Sequence, residues 1–216
     1  FRAIRTNLQY LVTDEKAKII SVSSALSSEG KTFIALNLAS IIALSDVKTL
    51  LLGMDLRKPR MHKIFNIDNS TGISTMLIGE SSFDDIIHPT NINNLYVCPS
   101  GPIPPNPAEL LDSVRLKEFI KEVSKKFTYV IMDTPPLAIV TDAQILNKIS
   151  NVNLFILRQK FSNKGVLPFI QNLYDKKEFR NLCLVINDIR IPGYYGYAYR
   201  YGYGYGYGYH YDYSYR

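Results

Sequence analysis

An α/β fold, a mostly parallel sheet with helices on both faces, is what this 216-residue sequence predicts, and three observations carry the prediction. Short apolar runs recur between stretches with helical spacing, so strands and helices alternate along the chain. The first run passes through the small-residue loop Ala25-Leu26-Ser27-Ser28-Glu29-Gly30-Lys31-Thr32 into a helix-like stretch. Lys31, Asp55, Asp133 and Asn187 each follow the C-terminal end of a strand-like run, the edge where open α/β sheets place their ligands. The pattern occupies residues 1–193 and stops at Tyr194, which divides the chain into one folded domain and a flexible tail of residues 194–216.

A chain of this length holds one sizeable core with an appendage, not two full domains. A hydrophobic content of 46% supports a globular body. The net charge of +6 suits nucleic acid, an anionic membrane or phosphorylated ligands, but the basic residues form no long run, so charge selects no partner. Cys98 and Cys183 lack metal-type spacing and read as buried free thiols of a reducing compartment, with a disulfide as the alternative. No apolar run reaches bilayer length, and no signal peptide is visible. The sequence begins at Phe1 without Met and is read as a piece of a longer protein, with room for membrane segments upstream.

Phe1, Ile4, Leu8 and Leu11 share one face of an amphipathic helix, with Arg2 and Arg5 beside it. These arginines read either as solvated charges or as a subunit contact through carboxylate partners. Lys18–Val22 is the first expected strand and 32–44 the helix after the loop. The loop spacing is that of a phosphate-binding P-loop, with Ala25 where Gly is commoner. Ser27, Ser28, Glu29, Gly30, Lys31, Thr32 and Phe33 are therefore the candidate contacts to a nucleotide's phosphates. In that reading Lys31 neutralises the outer phosphates and the Thr32 hydroxyl binds Mg2+. The plain alternative is a strand-to-helix turn with a chance Gly-Lys pair.

Residues 49–52 form a second strand, and Asp55 beyond it is a candidate Mg2+ ligand or general base, or else a turn cap. His62 has no second ligand at matching spacing and reads as a packing residue. Short helices are expected over 69–80 and 82–87, a strand over 95–98, and a helix from Ala108 to Lys126 after the proline-rich turn. Tyr129–Asp133 is a continuous apolar run ending in an acid, the form of a strand whose terminal carboxylate holds Mg2+ or its water. Strands over 153–157 and 182–186, with a helix over 164–174 between them, complete the alternation and bring Asn187 to the same edge.

The tail is YYGYAYRYGYGYGYGYHYDYSYR, with 12 of the chain's 16 tyrosines. Its glycines supply too little apolar burial for a core. It reads as a strand along a sheet edge, an adhesive low-complexity stretch, a stacking platform for single-stranded nucleic acid, or an appended artefact. Nucleic acid fits least, since Arg200 and Arg216 are its only arginines and it has no lysine. The functional reading is that the tail is a substrate. A flexible chain of phenols can offer Tyr197, Tyr199, Tyr201, Tyr203, Tyr205, Tyr207, Tyr209, Tyr211, Tyr213 and Tyr215 in turn to a phosphoryl donor. Each phosphate adds about −1.5 to −2 charges, so a heavily modified tail is expected to be repelled from nucleotide phosphates.

The loop at Ala25–Thr32, the stretch LLLGMDLR, the strand YVIMDTPP and the tyrosine cluster together resemble the bacterial tyrosine autokinases, or BY-kinases, the cytoplasmic kinase domains of Wzc-like and CapB-like proteins. The resemblance implies a P-loop NTPase-like fold, ATP and Mg2+ as cofactors, and autophosphorylation between subunits of a homo-oligomeric ring. It implies control of capsular or extracellular polysaccharide export at the inner face of the plasma membrane. The implied partners are a membrane co-polymerase domain, in the same or another chain, and a cognate tyrosine phosphatase. By position, Lys31, Asp55 and Asp133 become catalytic, with Thr32, Asp55 and Asp133 on the metal. Arg2 and Arg5 match two arginines of an oligomerisation motif whose glutamate lies before Phe1. Asn187 matches a base-side asparagine, and Pro105–Leu111 a loop of no stated role. Gly53 departs from the pattern, for it stands where the family has the first acid of Asp-x-Asp.

Two other functions compete. A switch ATPase of the ParA or MinD type requires a second lysine early in the loop, where this chain has Leu26. A nucleotide-dependent scaffold of the export machinery gains weight from Gly53.

Overall fold

The computed structural model describes residues 1–12, 17–137 and 141–190. The C-terminal tail and its tyrosines lie outside them. Seven strands form one sheet: β1 (Lys18–Ser24), β2 (Thr49–Gly53), β3 (His88–Pro89), β4 (Leu95–Cys98), β5 (Tyr129–Asp133), β6 (Val152–Arg158) and β7 (Leu182–Asn187). Their order is β3-β4-β2-β5-β1-β6-β7, and only the β3–β4 pairing is antiparallel. The central strands are apolar on both faces because helices cover both, which is why they read as continuous runs and not as alternating ones.

The helices are α1 (Arg2–Leu11), α2 (Lys31–Ala43), α3 (Met61–Phe65), α4 (Ile73–Ile78), α5 (Pro107–Leu111), α6 (Val114–Lys126), α7 (Asp142–Lys148) and α8 (Val166–Asp175). On one face of the sheet, α2 buries Ile34, Leu38 and Ile42 against Ile20, Val22 and Ile131, and Leu8 of α1 packs into the same cluster. On the other face, Phe119 and Val123 of α6 meet Leu50, Leu52, Val130 and Met132. A third cluster, with Phe155, Ile170 and Leu173, seats α8 beside β6. Cys98 is buried and Cys183 half-buried, both free, and burial raises both thiol pKa values. Among the described residues, no helix is long and apolar enough to cross a membrane.

Several expected elements differ in extent. The helix expected from Ala108 to Lys126 is two helices, broken where the Ser113 hydroxyl accepts the Leu116 N–H at 3.2 Å and starts α6 afresh. Residues 82–87 form a turn instead of a helix, since the Ser82 and Asp85 side chains each take the other's backbone N–H. The helix expected over 69–80 shrinks to α4. Asn69 is held in both directions by the Gly101 backbone, and a Cβ on Gly72 would lie 2.3 Å from Gly101 N. Helices α3 and α7 and the edge strand β3 are additions to the expected pattern.

Candidate active site

Four strands deliver the site to one edge, as the alternation predicts. Strand β1 ends at Ser24 and the chain turns through the loop into α2, whose cap, Gly30, sits at φ 101° in the left-handed region. The first intrahelical bond runs from Ile34 N–H to Gly30 O at 2.9 Å, so the N–H groups of Lys31, Thr32 and Phe33 have no intrahelical acceptor. Such a helix start attracts anions through its free donors and its dipole.

The loop is braced from behind. The Glu29 side chain is fully buried, and its carboxylate accepts the Leu26 N–H at 2.7 Å and the Ser162 hydroxyl. Arg158 donates to Ser28 O at 3.0 Å, and Asn187 Nδ2 to Glu29 O at 3.0 Å. Residues of β6, β7 and the turn after β6 therefore fix the loop's shape. Two expected ATP contacts change character as a result. Glu29 has only its backbone left to offer a phosphate, and the Asn187 amide is spent on the loop. A Cβ on Gly30 would lie 2.1 Å from Asn187 Nδ2, so a side chain there would displace that amide as well as strain the left-handed backbone.

Lys31 is 8% exposed and reaches Ser24 Oγ at 3.1 Å and Leu26 O at 3.4 Å. Burial lowers its pKa, opposed by the charges of Asp133, Asp55 and Glu29. Thr32 donates its hydroxyl to Asp133 Oδ2 at 2.7 Å. The other oxygen, Asp133 Oδ1, is buried without a hydrogen-bond partner. Burial raises the Asp133 carboxyl to about 6, with the Thr32 hydrogen bond and Lys31 charge opposing. A buried carboxylate oxygen with nothing to bond, next to a hydroxyl and beneath a phosphate loop, fits a hard divalent cation. Thr32 and Asp133 are the residues that would hold Mg2+.

Asp55 lies across the same cleft of about 840 Å³, lined also by Lys31, Thr32 and Asp133. Its Oδ1 accepts the backbone N–H groups of Arg57 and Lys58 at 3.2 and 3.0 Å. The turn-cap reading therefore holds for Oδ1, while Oδ2 has no bond among the described residues and is the oxygen a ligand role would use. Sequence reasoning missed the neighbouring ion pair. Arg57 Nε and Nη2 grip both oxygens of the fully buried Asp142 at 2.8 and 3.0 Å, tying the segment after β2 to the start of α7. Replacing Arg57 by Leu is expected to cost about 3 kcal/mol, since it strands a buried carboxylate, and urea unfolding measures it.

The space of the absent acid at Gly53 is tight. A Cβ there would meet Ser100 Oγ at 3.0 Å and Met61 Cβ at 3.1 Å, and Ser100 already donates to Gly53 O at 2.7 Å. Gly53→Asp is therefore expected to destabilise the chain by about 1–3 kcal/mol instead of restoring a ligand, with partial recovery in Gly53→Asp/Ser100→Ala. Thermal unfolding of the two variants checks this. Arg5 lies outside the cleft, bonded to Ile41 O at 3.4 Å and to Ser45 Oγ at the end of α2. Arg2 is exposed, and neither arginine has a carboxylate partner among the described residues.

A family model described as "AAA domain" matches residues 17–186. The tyrosine-protein kinase YwqD of Bacillus subtilis is 35% identical over 201 residues, covering 91% of this chain and 85% of that protein. The putative tyrosine-protein kinase CapB of Staphylococcus aureus is 32% identical, covering 91% and 88%. The chain spans only 28% of the longer tyrosine-protein kinase wzc of Salmonella typhi, at 32% identity. Among solved structures, the kinase domain of the Escherichia coli tyrosine kinase ETK superposes with a TM-score of 0.82 at 30% identity, covering 96% of this chain and 79% of that one. The chimerical protein CapA2B2 also gives 0.82, at 35% identity, covering 88% and 84%. The cell division ATPase MinD of Pyrococcus furiosus, at 0.67 and 24%, shares the fold. Two relatives alike over 85% and 88% of their own length, joined to a braced loop at the start of α2 that faces an unsatisfied aspartate, place this chain in the family of bacterial tyrosine-protein kinases.

Proposed function

We propose that the chain transfers the γ-phosphoryl group of ATP to tyrosines of its own 194–216 segment, carried by a neighbouring copy, and that it acts in capsular or extracellular polysaccharide export at the inner face of the plasma membrane. The observation that carries this reading is the pairing of the Thr32–Asp133 site, with its free buried oxygen, with a segment holding 12 tyrosines in the same chain. One relative, from Klebsiella pneumoniae, is named a putative tyrosine-protein kinase in a cps region, which supports the polysaccharide context. A membrane co-polymerase domain and a phosphatase that resets the tail complete the proposed partners.

Lys31 leaves Ser24 and Leu26 to bridge the outer phosphates, and the N–H groups at the start of α2 hold their oxygens. Bound by Thr32 and Asp133, Mg2+ would supply charge neutralisation at the transferring group. Asp55 Oδ2 accepts the phenol proton as the phenolic oxygen bonds to the γ-phosphorus and the bond to the β–γ bridging oxygen breaks, leaving ADP and phosphotyrosine. The phenol has a pKa near 10, so a base at hydrogen-bond distance aids it, though a dissociative transition state needs little nucleophile activation. One carboxylate then suffices where Gly53 leaves no second.

Incubating the chain with γ-labelled ATP and Mg2+ is expected to place label beyond Gly193. Nucleotide binding by the chain without any phosphotyrosine overturns the proposal.

A further inference from the structure

The cleft does not end at the phosphate site. Beyond Asp55 it runs along the outer face of α2 to α3, past Phe33, Leu36 and Ile64, with Met61 at its floor. Phe33 and Ile64 are 55% and 46% exposed, and the Phe33 ring is held edge-on to that of Phe1 at 5.9 Å between centroids. Lys58, Arg60 and Lys63 rim the same space, all exposed and without an ion-pair partner among the described residues.

We infer that this arm of the cleft is the acceptor subsite, built for a tyrosine ring in a peptide whose neighbouring residues are small or acidic. The inference rests on the kinase reading above and adds to it where the phenol lies and what surrounds it. In-line transfer puts the incoming oxygen opposite the leaving one. Arg158, Ser162 and Asn187 close the loop on the β6–β7 side, so the open approach is from β2 and α3. A tyrosine there lays an apolar ring on Phe33, Leu36 and Ile64 and points its hydroxyl at Asp55.

The rim accounts for the neighbours. In an extended peptide, residues two apart lie about 6.6–6.8 Å from one another on the same side. A phosphate already added two residues away, or a carboxylate such as Asp212, falls among Lys58, Arg60 and Lys63, whereas a basic neighbour is repelled. The rim thus offsets for the first few transfers the repulsion expected of a charged tail.

The test uses the full chain with Mg-ATP and, as acceptor in trans, a peptide with the sequence of residues 205–213. Ile64→Asn is expected to raise the peptide KM about tenfold with kcat little changed, Ile64→Leu to restore it, and the Kd for a fluorescent ATP analogue to stay within about twofold. Asp212→Lys in the peptide is expected to raise KM about fivefold at low salt. An unchanged KM in Ile64→Asn removes the apolar wall, and an unchanged KM for the altered peptide removes the basic rim. A wild-type chain that binds nucleotide yet phosphorylates neither peptide nor tail overturns the kinase reading itself, a result distinct from either.

Discussion

Lys31→Met is expected to lower phosphotyrosine formation by about two to three orders of magnitude while leaving the fold intact. The side chain is 8% exposed and its charge is disfavoured by burial, so an unbranched apolar replacement of similar volume removes a desolvation cost. What the proposed mechanism loses is the cation that meets the developing charge on the transferring group. Lys31 now bonds Ser24 Oγ and Leu26 O, weak partners that a phosphate easily displaces. Thermal unfolding should show a melting temperature equal to or above that of the wild type. Labelling should fall well beyond any fall in nucleotide affinity, because in that mechanism the amine acts mainly in the transition state. Loss of nucleotide affinity alone, with phosphoryl transfer retained at saturation, refutes the assigned role.

Lys31 and Asp133 were legible in the sequence because each closes a local pattern: strand, small-residue loop and helix for one, a buried apolar strand ending in an acid for the other. The sheet was legible for the same reason, since doubly covered strands leave unbroken apolar runs. What escaped was made by residues far apart in the chain. Ser162 meets Glu29 across 133 positions, and Arg57 meets Asp142 across 85. Nothing in the neighbourhood of either residue marks it for such a partner. Glu29 is the instructive case. Position within the loop suggested a ligand contact, yet its carboxylate is turned inward and shapes the loop that others use. The split of the helix expected over 108–126 had a visible signal in Ser113, a good N-cap, which the apolar spacing around it overrode.

Asp133→Asn is expected to abolish Mg2+-dependent transfer and, at the same time, to stabilise the nucleotide-free chain. The carboxyl titrates at about 6 when folded, against an ordinary value of 3.8, because burial disfavours the ion. A raised carboxyl contributes stability that is complete below about pH 4 and lost as pH rises through about 6, so at pH 7.5 the ionised group costs the folded state about 1–3 kcal/mol. Asparagine cannot ionise and escapes that cost, less whatever its unpaired amide adds. Urea unfolding without nucleotide should find the variant more stable than the wild type at pH 7.5 and no more stable at pH 4.5. Binding runs the other way. Only the ionised carboxylate ligates magnesium, so the Mg2+-dependent part of ATP affinity in the wild type should fall about tenfold per pH unit below 6. ATP phosphates titrate nearby as well, and the variant isolates their share, since it should retain only that dependence. The instability is thus the same property as the affinity: a carboxylate oxygen kept dry and unpaired is poised for a cation that solvent would otherwise outbid. A wild-type chain whose stability is flat between pH 4.5 and 7.5 shows instead that Asp133 is already solvated, and that the pocket holds no such tension to release.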